Sequence, residues 1–102
     1  MEINSSNLND AIFEGLVLVI FYAKHSSSNR SIDPIISEIE RKYETKLQVY
    51  KLDLDEFPGI ASEYGITKIP SFGLFIEKKP KIKIEGVHPI NVYTDAIDKL
   101  VS

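Results

Sequence analysis

Val17-Leu18-Val19-Ile20-Phe21-Tyr22-Ala23-Lys24-His25-Ser26-Ser27-Ser28-Asn29-Arg30 is the stretch that decides the fold. An unbroken run of β-branched, aliphatic and aromatic residues stops at a cluster of short polar side chains, and a helical pattern follows. A continuous apolar run of this length suits a strand buried on both faces, because a half-exposed strand would alternate. The serines then suit the start of a helix, where side-chain oxygens accept from free backbone N–H groups. Strand-to-helix junctions of this kind are where α/β proteins place their chemistry, since the helix start carries partial positive charge.

The pattern extends in both directions. Upstream, Glu2-Ile3-Asn4 reads as a short edge strand, and Ser5 or Ser6 as the N-cap of a brief helix carrying Leu8, Ala11 and Ile12, with Phe13 beside them and Gly15 ending it. Downstream, Ile32, Ile35, Ile36, Ile39 and Tyr43 recur at helical spacing and form a buried stripe. Pro34 falls inside that helix, and Glu38, Glu40, Arg41, Lys42 and Glu44 make its solvated side. Leu47 to Leu54 alternates as a second core strand, and Asp55 is the N-cap of a short helix from Pro58 to Tyr64 closed by Gly65. Ser71 to Ile76 is a third apolar strand, Glu77-Lys78-Lys79-Pro80 a turn, and Lys81 to Glu85 an antiparallel edge strand with Ile82 and Ile84 inward. The last helix, Ile90 to Val101, presents Val92 or Tyr93, Ala96, Ile97, Leu100 and Val101 to the sheet. The order βαβαβαββα implies an α/β fold in a single domain over 1–102, a mixed central sheet with helices on both faces.

Composition narrows function by exclusion. The 102 residues carry a net charge of −3, which supplies no electrostatic reason to expect nucleic acid or an anionic membrane. No apolar run approaches the roughly 18 residues of a membrane span, and the polar N-terminus is unlike a signal peptide, so cytoplasm is the expected location. The chain contains no cysteine, which removes disulfides, thiolate metal sites and cysteine redox chemistry. Asp53 and Asp55 lack the clustering a metal requires and read as a polar strand edge and a helix cap. No cofactor is implied.

The ordered set Val17-Leu18-Val19-Ile20-Phe21-Tyr22-Ala23, a helix containing Pro34, Lys51-Leu52-Asp53-Leu54-Asp55, Tyr64-Gly65-Ile66 and Ile69-Pro70-Ser71-Phe72, followed by Gly86, resembles the thioredoxin family over essentially the whole chain. The resemblance implies the thioredoxin fold. It also marks where this chain departs from the family's chemistry. Family members carry Trp-Cys-Gly-Pro-Cys at the junction; His25-Ser26-Ser27-Ser28-Asn29 stands here, with Ser26 and Asn29 in place of the two thiols. A hydroxyl is too weak an acid to be ionised at a helix start and forms no mixed disulfide. The family's buried acid in the preceding strand is matched by Ile20, and a lysine that lies near that acid by Lys51, which then has to snorkel or pair elsewhere.

Ile69-Pro70 matches the family's cis-proline loop, which pairs its backbone with an extended client. By resemblance, the contact surface combines His25, Ser26, Ser27, Ser28, Ile69, Pro70, Gly86 and Val87, and Lys68 and Glu85 make it more polar than is usual. The plainer account of each residue stands beside this one: His25 as an inert surface side chain, the serines as ordinary caps, Pro70 as geometry for entering the strand at Ser71. Two functions follow. The first is a redox-inactive, non-catalytic thioredoxin-like domain, monomeric or weakly dimeric, that binds a protein or extended peptide through the former active-site face. The alternative is a thiol–disulfide oxidoreductase whose cysteines have been substituted, although substitution for study explains Ser26 better than Asn29 and Ile20.

Overall fold

A computed structural model describes residues 2–26 and 29–101, with the backbone alone at Asn29. In chain order the elements are β1 (Glu2–Ile3), α1 (Leu8–Ala11), β2 (Leu16–Tyr22), α2 (Asn29–Lys42), β3 (Gln48–Asp53), α3 (Pro58–Glu63), β4 (Ser71–Ile76), β5 (Lys79–Glu85) and α4 (Ile90–Val101). The strands form one sheet in the order β1-β3-β2-β4-β5. β1 and β2 each run parallel to β3, and β4 runs antiparallel to β2 and β5, so the sheet is mixed. This is the thioredoxin fold.

β2 lies at the centre, and its alternation sorts the core into two layers. Leu18, Ile20 and Tyr22 point toward α2 and α4, where they meet Ile32, Ile36, Ile39, Tyr93 and Ile97. Val17, Val19 and Phe21 point the other way, toward Leu8, Ile12 and Ile60 from α1 and α3 and its flanks. Six consecutive β2 residues, Val17 to Tyr22, are buried because both faces are covered. On the α2 stripe, Ile32, Ile36, Ile39 and Tyr43 are buried and Ile35 only partly so. Tyr43 also ties the end of α2 to α4, its hydroxyl donating to Asp98 Oδ1 at 2.6 Å.

Three local expectations are corrected by tertiary detail. Neither Ser5 nor Ser6 caps α1: Asn7 occupies the N-cap position, and Asn4 Oδ1 accepts from the Ser6 and Asn7 amides in a preceding Asx turn. Asp55 does not cap α3, which starts after Phe57; its amide instead donates to the Asp53 carboxylate. Pro80 belongs to β5, opposite Phe75, not to the turn. The turn is Glu77-Lys78 alone, both at positive φ (49° and 73°), as a two-residue hairpin demands. Proline is tolerated in β5 because an edge strand leaves one row of N–H groups unused. Phe13, expected beside the α1 stripe, is 56% exposed with the Lys78 ammonium over its ring.

Candidate functional site

The parallel and antiparallel neighbours of β2 bring two loops to one end of the sheet. Phe21 is paired with Ser71, so the β2–α2 junction and the segment leading into β4 lie side by side. Along the junction, Ala23 is buried, Lys24 and His25 are exposed, and Ser26 is half-buried with its amide donating to the Ala23 carbonyl at 3.0 Å. The expected roles of Ser27, Ser28 and the Asn29 side chain lie outside the described residues.

Asp53, which the sequence reads as a polar strand edge, is buried at 3% exposure. Its Oδ1 accepts from the Lys24 amide at 3.3 Å and the Asp55 amide at 2.9 Å, joining the junction to the β3–α3 loop. The Leu54 amide adds a bond to the Tyr22 carbonyl at 2.8 Å. Asp53→Ala leaves two amides without their acceptor and should lower stability by about 2 kcal/mol, read from urea melts. The missed signal was position: an Asp ending a core strand has nearby loop amides to satisfy.

On the other side of the junction, Pro70 is buried behind a cis Ile69–Pro70 peptide, and Ile69 stands 42% exposed. The Ser71 hydroxyl donates to the Lys68 carbonyl at 2.6 Å. The Gly86 amide donates to the Pro70 carbonyl at 2.7 Å, with Gly86 at φ +87°. A side chain there would be forced into the left-handed region, so glycine lets the chain turn off β5 beside Pro70. Val87, 44% exposed, follows directly on this joint to the Pro70 loop. Ile69, Pro70, Gly86 and Val87 are brought together; His25 and Ser26 sit on the adjoining loop.

Tyr93 fixes this second loop from below. Its buried hydroxyl donates to the Gly86 carbonyl at 2.9 Å and accepts from the His88 amide at 2.9 Å, while its ring packs on Phe72 at 4.4 Å. Burial pushes the Tyr93 hydroxyl pKa up, so it stays a neutral donor. The sequence offered Val92 or Tyr93 as the inward residue; the polar tip of a tyrosine on an apolar stripe was the signal for Tyr93. Glu85 is held below the usual carboxylate range, first by the Thr67 hydroxyl at 2.9 Å and then by Lys83 at 3.3 Å.

Ile20 is fully buried between Lys51 and Phe72 on the neighbouring strands. Lys51 has found other company: its ammonium lies 4.9 Å above the Tyr22 ring and 4.0 Å from Asp33. The Tyr22 hydroxyl donates to Glu2, and burial followed by that bond pushes its pKa up. Among the described residues no group of His, Asp or Glu is placed to hold a metal, and no helix is long and apolar enough to cross a membrane.

A mixed sheet in this order, helices on both faces and a proline loop against the strand-to-helix junction define a thioredoxin-fold protein without a dithiol. The family model for thioredoxin matches residues 1–99. The chain is 36% identical over 103 residues to the chloroplastic M-type thioredoxin of Spinacia oleracea, covering 99% of this chain and 57% of that protein. It is 39% identical over 94 residues to the thioredoxin of Rickettsia bellii, covering 85% of this chain and 90% of that one. With the thioredoxin of Staphylococcus saprophyticus it shares 30% identity over 99 residues, 97% of this chain and 95% of the relative. It spans about half the length of the chloroplastic relatives and most of the bacterial ones. The chain belongs to the thioredoxin family.

Proposed function

We propose that this protein is a redox-inactive member of its family that binds an extended polypeptide segment at the loop face formed by Ile69, Pro70, Gly86 and Val87, flanked by His25 and Ser26. The observation that carries the reading is that the Gly86–Pro70 backbone bond joins two loops, on which Ile69 and Val87 are both exposed apolar side chains. Exposed apolar side chains in a row beside ordered backbone suit a client whose alternate residues face the protein. Lys68 and Glu85 at the margin favour a segment with charged residues flanking an apolar centre.

Redox inactivity rests on chemistry: disulfide exchange requires a thiolate that attacks a disulfide sulfur, and the chain has no sulfur other than Met1. A hydroxyl at Ser26 cannot take that part, and Ile20 offers no acid to relay a proton. In this reading the protein acts in the cytoplasm as a monomer or weak dimer, without nucleic acid or membrane as partner, in keeping with its net charge of −3.

Two measurements test it. In an insulin-reduction assay with dithiothreitol, the rate with protein should equal the rate without it; turnover above that background overturns the inactive reading. Peptides selected from a random display library should then move the Ile69 and Val87 amide resonances. Ile69→Asp or Val87→Asp should weaken the selected peptides about tenfold or more, as loss of a central apolar contact does. Unchanged affinity in both variants would place binding elsewhere.

A further inference from the structure

On the α1/α3 side of the sheet, α3 is only six residues, about 9 Å long, and its buried Ile60 packs toward β2 and β3. The same face of β4 and β5 is left with an open cleft of about 290 Å³. None of the residues that build it belongs to the Ile69–Val87 loop face.

The cleft has an apolar wall of three aromatic rings. Tyr64 lies 5.8 Å from Phe21 and 5.9 Å from Phe75, meeting the latter edge-on. Gly73 is the floor. A Cβ at that position would sit 3.1 Å from Phe75 Cε1 and 3.3 Å from Phe21 Cε2, closer than side chains ordinarily approach. Glycine inside a strand weakens it, and is found where something must come close to the backbone. Here it lets two phenyl rings converge over the strand backbone, which they cover at the bottom of the cleft.

The rim is cationic. Gly73 pairs with Lys83, Leu74 with Ile82 and Phe75 with Pro80, so Lys81 is the extra residue of a β-bulge. A bulge re-aims its side chain, and Lys81 lines this cleft. Lys83 is already engaged: its ammonium donates to the Gly65 carbonyl at 2.7 Å and lies 3.3 Å from Glu85. The Lys81 ammonium has no ion pair or side-chain hydrogen bond among the described residues. An aromatic slot beside a free ammonium is complementary to a ring that carries a negative charge.

We propose that this cleft binds a small aromatic carboxylate, its ring against the aromatic wall at the half-buried Tyr64 and its carboxylate on Lys81. The volume lies just below the roughly 300–1,000 Å³ of ordinary ligand sites, enough for one or two fused rings. A cationic ligand is repelled by both rim lysines. An added strand is disfavoured, because the bulge and Pro80 interrupt the outer edge of β5.

The test is an NMR titration of the whole protein with 2-naphthoate, 2-naphthamide and 2-naphthylmethylamine. The acid should shift the Tyr64, Gly73 and Lys81 amides and bind about tenfold more tightly than the amide, as one charge-assisted contact implies. The amine should bind weakest. Lys81→Met, an exposed edge substitution that leaves the core untouched, should abolish the preference for the acid while retaining amide binding. Equal affinity for acid and amide, or no shift at Gly73 up to about 10 mM ligand, overturns the proposal by denying a charge-selective site. So does movement of the Gly73 resonance with protein concentration alone, which would make a second copy the occupant, or shifts confined to Ile69 and Val87.

Discussion

Tyr93→Ala should lower the unfolding free energy by about 4 kcal/mol, and Tyr93→Phe by about 1–2 kcal/mol. The alanine variant removes a buried ring packed 4.4 Å from Phe72 and leaves a cavity between α4 and the sheet. The phenylalanine variant keeps the ring and deletes only the hydroxyl that bridges the Gly86 carbonyl and the His88 amide. The two therefore separate packing from the clasp. Urea melts with unchanged slope give the energies; faster hydrogen exchange at His88 in the phenylalanine variant reports the freed loop. If that loop presents Val87 to a client, peptide affinity should fall in Tyr93→Phe although no contact residue has changed.

The same hydroxyl contributes to alkaline behaviour. Burial raises the pKa of Tyr93, and also of Tyr22, Tyr43 and Tyr64, above the ordinary tyrosine value of 10.0. A raised folded-state pKa means the native protein holds these protons more tightly than the unfolded chain. Stability is then full below about pH 10 and falls as pH rises through the raised values. Tyr93→Phe should make the loss above pH 10 shallower, measured by melts across that range.

Ile20→Asp should destabilise by about 3–5 kcal/mol at neutral pH. Ile20 is wholly enclosed, and the ammonium of its cross-strand neighbour Lys51 is already placed over Tyr22 and beside Asp33. An aspartate there trades apolar packing for a carboxyl that must be desolvated. Its folded pKa would rise above the ordinary value of about 4, so the native state would bind more protons than the unfolded state over that window. The loss should be smallest at the acidic end of the window and grow as pH rises through it, then level off. A pH-independent loss would mean that Lys51 swings in to pair with the new carboxylate.

Much of the fold was legible because its signals are local or periodic. The apolar run of Val17 to Tyr22 announces a strand covered on both faces, and Ile32, Ile36 and Ile39 repeat at the helical period that buries one stripe. Boundaries and caps were less legible, since several side chains compete for the same free amides. Asn4 and Asp53 bind loop amides ahead of α1 and α3, where the sequence alone reads Ser5 or Ser6 and Asp55 as helix caps. The candidate site divides in the same way. The degenerate junction at Ser26 and Asn29 and the loop at Ile69-Pro70 are visible as residues in order. That Tyr93 clasps Gly86 is not, because the two are joined only after α4 folds back on the sheet.

By itself, then, the sequence determined the layered α/β architecture, the central buried strand and the absence of a cysteine at the junction, because these depend on residue type and period. Only the tertiary structure decided that Asp53 is a buried tie, that Lys81 leaves the ladder at a bulge, and that Gly73 makes room for two converging rings. Each of those depends on what lies across the sheet, at distances along the chain that no local pattern encodes.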